Sequence, residues 1–82
     1  MSKNNSVKIA YQNAKDLIDK KDYITATEQL SEILKVFPNE LNSIYLLIDC
    51  YIKLNNPLKA LEFTHSALNV KNNDKNLLHH LL

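Results

Sequence analysis

Apolar residues along this chain recur at spacings of three and four, which is the period of a helix with one buried face. Four such stripes follow one another. Their members are Val7, Ala10, Tyr11, Ala14, Leu17 and Ile18; Ile24, Thr27, Leu30, Ile33, Leu34 and Phe37; Leu41, Ile44, Leu47, Ile48, Tyr51 and Ile52; and Leu58, Leu61, Thr64, Ala67 and Leu68. The pattern predicts four amphipathic helices and an all-α fold.

Residues typical of helix ends separate the stripes. Ser6 and Asp22 suit the N-caps of the first two helices, and Asn56-Pro57 combines a cap with proline at the first helical position. Pro38 cannot continue the second helix. The segment Asn72-Asn73-Asp74 is expected to end the fourth helix and to cap a fifth. Because glycine is absent, asparagine is expected to supply the left-handed conformation at helix ends.

The sequence aligns with itself when it is displaced so that Asn5 falls on Asn39. We call this displacement the repeat shift. The predicted helix boundaries coincide under it. Identical pairs include Asn5 and Asn39, Asn39 and Asn73, Tyr11 and Tyr45, Ile18 and Ile52, Ala26 and Ala60, Leu34 and Leu68, Val36 and Val70, Asn42 and Asn76, and Leu47 and Leu81. We therefore expect two copies of an antiparallel helical hairpin, residues 7–40 and 41–74, after a flexible segment 1–6. Residues 75–82 match the opening of a third copy.

These residues resemble the tetratricopeptide repeat, a helical hairpin with a period of about 34 residues. The resemblance is carried in the first copy by Lys21-Asp22-Tyr23, Ala26, Leu30, Ile33-Leu34 and Pro38, and in the second by Asn55-Asn56-Pro57, Ala60 and Ala67-Leu68. The chain departs from the family pattern at Asn13, Lys21, Thr64 and Asn72. The resemblance implies hairpins stacked as a short right-handed superhelix, with about two repeats and a C-terminal helix. Ala26 and Ala60, with Ala14 opposite the first, are expected at the close helix crossings.

The resemblance also implies that the first helix of each repeat lines a concave groove for protein segments. The corresponding positions are Lys8, Tyr11, Gln12, Lys15 and Asp19 in the first repeat, Asn42, Tyr45, Leu46, Asp49 and Lys53 in the second, and Asn76, His79 and His80 in the last helix. Two alternatives stay open for Tyr11 and Tyr45, which lie one period apart. They form an aromatic wall of the groove, or they pack against neighbouring helices.

A subset of the family captures the acidic C-termini of heat-shock chaperones with a cluster of basic and polar residues. At the matching positions this chain has Tyr11, Lys15, Leu46, Asn76 and His80. Only Lys15 among them is a permanent cation, so that class of partner is not expected.

Composition argues against other functions. The net charge is +1 and no arginine is present, so nothing favours nucleic acid or a membrane surface as partner. Cys50 is the single cysteine and is predicted to be buried. Neither a catalytic set, a metal site nor a glycine loop for a phosphate cofactor can be assembled. Met1–Ser6 lacks the apolar stretch of a signal peptide, so a cytoplasmic location is expected.

The leading hypothesis is a non-catalytic module that binds a peptide or protein segment in its groove. Alternatives are a self-assembling helical scaffold, the repeat segment of a larger enzyme, and a secretion-type chaperone. Self-assembly is suggested by the terminal Leu77–Leu82, because an end repeat usually carries a polar outer face. A homo-oligomer formed through this last helix is therefore among the expected partners.

Overall fold

A computed structural model describes the backbone of residues 3–81 and the side chains of residues 6–72. The described backbone is mainly helical and contains no strand, which confirms the all-α prediction. Its helices are α1 (Lys3–Asp19), α2 (Tyr23–Val36), α3 (Leu41–Lys53) and α4 (Pro57–Leu81). Each helix packs against the next one along the chain. Within the part that the structure describes, no helix is long and apolar enough to cross a membrane.

Three of the predicted helix ends are confirmed. The Asp22 carboxylate accepts a hydrogen bond from the N–H of Thr25 at 3.4 Å, at the start of α2. The Asn56 side-chain oxygen accepts one from the N–H of Lys59 at 3.3 Å, at the start of α4. Helix α2 ends at Val36, because Pro38 disfavours helical geometry in the residue that precedes it.

The α1–α2 and α3–α4 turns have the same geometry at equivalent positions. Lys21 and Asn55, which the repeat shift superimposes, both have positive φ, at 65° and 58°. In each turn two successive N–H groups donate to carbonyls of the preceding helical turn, at 2.8 to 3.0 Å. This is the Schellman arrangement, which satisfies carbonyls that the helix end would leave unpaired. In the second turn asparagine takes the position where glycine is usual, as expected. In the first turn Lys21 takes it, although lysine has no particular preference for positive φ.

Two predicted boundaries are wrong. Helix α1 begins at Lys3 rather than after Ser6, and α4 runs through Asn72–Asp74 to Leu81 without a break. Asparagine and aspartate lower the stability of a helix by only about 0.7 kcal/mol per residue relative to alanine. Since Asn72–Asp74 contains neither proline nor glycine, nothing there stops the helix, and no fifth helix begins within the described backbone. The division into repeats at 7–40 and 41–74 stays a prediction.

The core lies between α1, α2 and α3. Its fully or almost fully buried members are Ala14, Ala26, Leu30, Ile33, Leu47 and Cys50. Ala60 and Ala67 are buried on α4. The predicted burial of the crossing alanines and of Cys50 is thereby confirmed. Burial, with a smaller contribution from Asp49, raises the pKa of the Cys50 thiol to about 11.

Some residues assigned by their period to buried stripes are exposed instead. They are Ile24, Ile52, Leu58, Leu61 and Leu68, each at least half exposed. Four of the five lie on the second helix of a hairpin, and three of those are on α4.

Candidate protein-binding site

The predicted groove residues of α1 form one polar stripe. Lys8, Gln12, Lys15 and Asp19 are all exposed, and their spacing of three and four places them on the same side of the helix. The Gln12 amide donates a hydrogen bond to the carboxylate of Asp16 at 3.1 Å, within the same helix. The stripe thus offers two cations, one anion and an amide to solvent.

Tyr11 lies beside this stripe but is partly buried and packs against the core cluster. Its pKa is raised above 10.0, mainly by burial and further by the negative charge of Glu40. The Lys15 ammonium lies 5.7 Å from the centroid of its ring, within the range of a cation–π contact. Of the two alternatives for Tyr11, packing against neighbouring helices describes it better.

Glu40 lies immediately before α3 and near the first half of α1. Its carboxylate accepts hydrogen bonds from the N–H and the hydroxyl of Ser43, both at 2.8 Å, and so caps α3. A negative charge at this end also complements the dipole of α3. Glu40 lines one surface pocket together with Val7 and Lys8, so the first half of α1 lies close to the start of α3.

The predicted residues of α3 form a second stripe. Asn42, Asp49 and Lys53 are exposed, whereas Leu46 is partly buried and packs against the core. Tyr45 is 39% exposed, and it is the only exposed tyrosine or phenylalanine among residues 6–72. Tyr45 is therefore accessible to a ligand and more exposed than Tyr11, which is partly buried.

Lys71 of α4 extends over the Tyr45 ring, with its ammonium 5.6 Å from the centroid. The contact stacks a cation on one part of the ring and joins α4 to the predicted groove face. Lys71 was not among the predicted site residues, because nothing in the helical period of α4 indicates that it reaches α3.

Ile52 was also missed. The period of α3 assigns it to the buried stripe, yet it is 60% exposed. It follows Tyr45 by seven positions and Asp49 by three, so all three lie on one side of α3. Its equivalent in the first repeat, Ile18, packs against the core. Tyr45 and Ile52 thus form an apolar pair between charged neighbours.

The rings of Tyr51 and Phe63 form the stacked aromatic pair of the described residues, with centroids 5.8 Å apart and planes 7° from parallel. This pair packs α3 against α4. Tyr11 and Tyr45 each face a lysine instead. The side chains of Asn76, His79 and His80 lie outside the described residues.

An apolar cleft opens between the first half of α1 and the end of α2. It encloses about 360 Å³ and is lined by Ser6, Val7, Ala10, Glu32, Ile33, Val36 and Phe37. Ala10 is small where the second repeat has Ile44, which is almost fully buried. The difference between these equivalent positions was the only signal in the sequence for this cleft.

The chemistry of the face is that of a contact surface. Its side chains are exposed lysines, carboxylates, amides and one apolar pair. Among the side chains of residues 6–72, no group of three histidine, cysteine or acidic residues comes together as a metal site.

Comparison with known proteins places this architecture in a family. The family model described as tetratricopeptide repeat matches residues 17–82. The match begins at the end of α1 and includes all of α2, α3 and α4. The comparison with curated proteins found no match. The chain belongs to the tetratricopeptide repeat family.

Proposed function

We propose that this protein binds a segment of another protein along the exposed faces of α1 and α3. The tetratricopeptide repeat is in general a protein-interaction module and is generally non-catalytic. The observation that carries the proposal is the exposed apolar pair of Tyr45 and Ile52, set among charged side chains on α3.

The apolar pair supplies the anchor. Burying a large apolar side chain under a ligand contributes about 1.5–3 kcal/mol to the free energy of binding. Tyrosine is enriched at the few interface positions that dominate binding, since it offers a large area with few rotatable bonds. The Lys71 ammonium lies over the same ring. The ligand should therefore present two apolar side chains, one to Tyr45 and one to Ile52, which lie two helical turns, about 10 Å, apart along α3.

The charges supply orientation. Lys8 and Lys15 on α1, with Asp49 and Lys53 on α3, give a face of mixed sign. Charges at the rim of an interface mainly affect the association rate and the register of the partner. The best ligand is thus a segment with charges of both signs around an apolar anchor, rather than a purely acidic tail.

Selection from a displayed library of random dodecapeptides tests this proposal. Peptides that bind the full chain should carry an aromatic or aliphatic anchor. Their affinity should fall about tenfold or more for the Tyr45→Ala, Ile52→Ser double variant, because two covered side chains are lost. Amide chemical shifts should change along α1 and α3 when a selected peptide is added.

The control variant is Glu28→Ala, since Glu28 is exposed on α2 and should leave affinity unchanged. Circular dichroism shows whether each variant keeps its helices. Selected peptides that bind the double variant as tightly as the parent chain would contradict the proposal.

A further inference from the structure

The two repeats differ in what covers their second helix. Helix α2 packs between α1 and α3, whereas α4 packs against α3 alone among the principal helix contacts. Under the repeat shift α2 and α4 are equivalent. Each residue of α4 can therefore be compared with a residue of α2 that has a helix on both sides.

The equivalent positions locate an uncovered stripe on α4. Thr27 of α2 is 8% exposed, but its equivalent Leu61 is 54% exposed. Leu34 is partly buried, but its equivalent Leu68 is exposed. His65, between the two leucines, is exposed where its equivalent Ser31 is partly buried. Leu61, His65 and Leu68 follow at spacings of four and three, so they form one stripe, which we call the α4 stripe.

The edge of this stripe can be defined in the same way. Ile24 of α2 stays 63% exposed although α3 packs on that helix, and its equivalent Leu58 is 74% exposed. A helix that covered α4 as α3 covers α2 would leave Leu58 in solvent. Leu58 is thus apolar and exposed but lies outside the expected contact.

The packing of α3 on α2 shows which residues a helix covering α4 would use, and we call these residues of α3 the α3 template. Ser43, Leu47 and Cys50 of α3 are fully buried. Their equivalents on α1, which packs against α2 alone among the principal contacts, are Ile9, Asn13 and Asp16, all exposed. Ser43, Leu47 and Cys50 therefore form the side of α3 that faces α2. Leu47 and Cys50 also belong to the same core cluster as residues of α2.

Within the described residues 3–81, other parts of the chain are poor candidates for covering the α4 stripe. The α1 surface equivalent to the α3 template carries Asn13 and Asp16, so a second copy stacked by its α1 would bury an amide and a charged carboxylate, which is unfavourable. The backbone of the last described residues continues α4 to Leu81 and does not return across it. Beside the stripe, Lys59 and Glu62 lie 4.0 Å apart as an ion pair, so the rim favours no strongly charged occupant.

We propose that the α4 stripe docks an amphipathic helix of a partner protein in the way that α3 docks on α2. The helix runs antiparallel to α4, since α3 follows α2 after a short turn. It presents a small residue followed by apolar residues four and seven positions later, as in Ser43, Leu47 and Cys50. This surface is separate from the face proposed above for peptide binding.

A synthetic peptide of residues 40–54 with Cys50→Ala, labelled at its N-terminus, is the probe. Fluorescence anisotropy measures its binding to the full chain. We expect saturable binding that falls about tenfold or more for the Leu61→Glu, Leu68→Glu double variant, because a carboxylate at each position would be buried. Leu58→Glu is the matched control and should change affinity by less than about twofold, being the same substitution outside the contact.

Further measurements separate this proposal from its alternatives. A peptide with Leu47→Lys should not bind, and Tyr45→Ala in the protein should leave binding intact, which separates this surface from the α3 face. Absence of binding, or equal losses for the Leu58→Glu and the Leu61→Glu, Leu68→Glu variants, would overturn the proposal. So would sedimentation of the parent chain as a dimer that the double variant converts to a monomer, since the occupant would then be a second copy.

Discussion

Lys21 adopts a left-handed backbone conformation for which its side chain is unsuited. A residue other than glycine in this conformation costs about 1–2 kcal/mol, because its Cβ approaches the following carbonyl. The equivalent Asn55 tolerates the conformation better, since its short polar side chain can bond locally. The first turn therefore stores strain that the second turn largely avoids.

Lys21→Gly should raise the free energy of unfolding by about 0.5–1 kcal/mol, after allowance for the greater flexibility of glycine in the unfolded chain. Urea unfolding followed by circular dichroism measures the change. Lys20→Gly, one residue earlier and without positive φ, should lower stability instead. Equal effects of the two substitutions would show that the turn is not strained.

At the scale of helices, local chemistry explains the boundaries that the sequence could predict. Asp22 and Asn56 bond to N–H groups three residues ahead, and Pro38 acts on its immediate neighbour, so each signal is contained in a few residues. The end of α4 was predicted wrongly because Asn72–Asp74 only weakens a helix without stopping it. Glu40 was missed as a cap because glutamate is not among the preferred N-cap residues.

Glu40→Ala should lower the free energy of unfolding by about 1 kcal/mol, since the cap of α3 and its favourable charge are both lost. Urea unfolding measures this loss. The pKa of Tyr11 should also fall, while staying raised because burial is its larger cause. Titration of the tyrosine ring carbons by NMR follows that change. Glu28→Ala, at an exposed position on α2, should alter neither quantity.

Exposure depends on neighbouring helices and could not be predicted from period alone. Thr27 and Leu61 occupy equivalent positions, yet the polar one is buried and the apolar one exposed. Ile18 and Ile52 are identical residues at equivalent positions, yet Ile18 is partly buried and Ile52 is 60% exposed. The exposure of the candidate groove was therefore predicted well for its charged residues, which avoid burial in any arrangement. The period alone could not decide the exposure of Tyr11, Leu46 and Ile52, because it depends on how neighbouring helices pack.

At the scale of the whole molecule, stability depends on a thin core. A chain of 82 residues buries a smaller fraction of its surface than larger domains do, and its total stability is only a few kcal/mol. Ala14 and Ala26 are both fully buried in the cluster that joins the first three helices. The close approach of these helices depends on side chains of that size.

Ala26→Phe should abolish cooperative thermal unfolding, since overpacking costs about 1–3 kcal/mol or more. Ala60→Phe should cause a smaller loss, because Ala60 retains 7% exposure at the edge of the molecule. Melting followed by circular dichroism compares the two. Asn69→Phe adds the same ring at an exposed position on α4 and should leave the transition cooperative. An unaltered transition for Ala26→Phe would refute the close-packed seam.

The outer sides of α1 and α4 differ in polarity, so further helices can pack at only one end of the molecule. Helices can be appended beyond α4, where leucines are exposed, but not beyond α1, where Asn13 and Asp16 face solvent. An engineer who joined copies of this domain in tandem would therefore have to exchange those two polar residues for apolar ones in every copy except the leading one. Only then would the joined copies merge into a continuous rod instead of behaving as independent units.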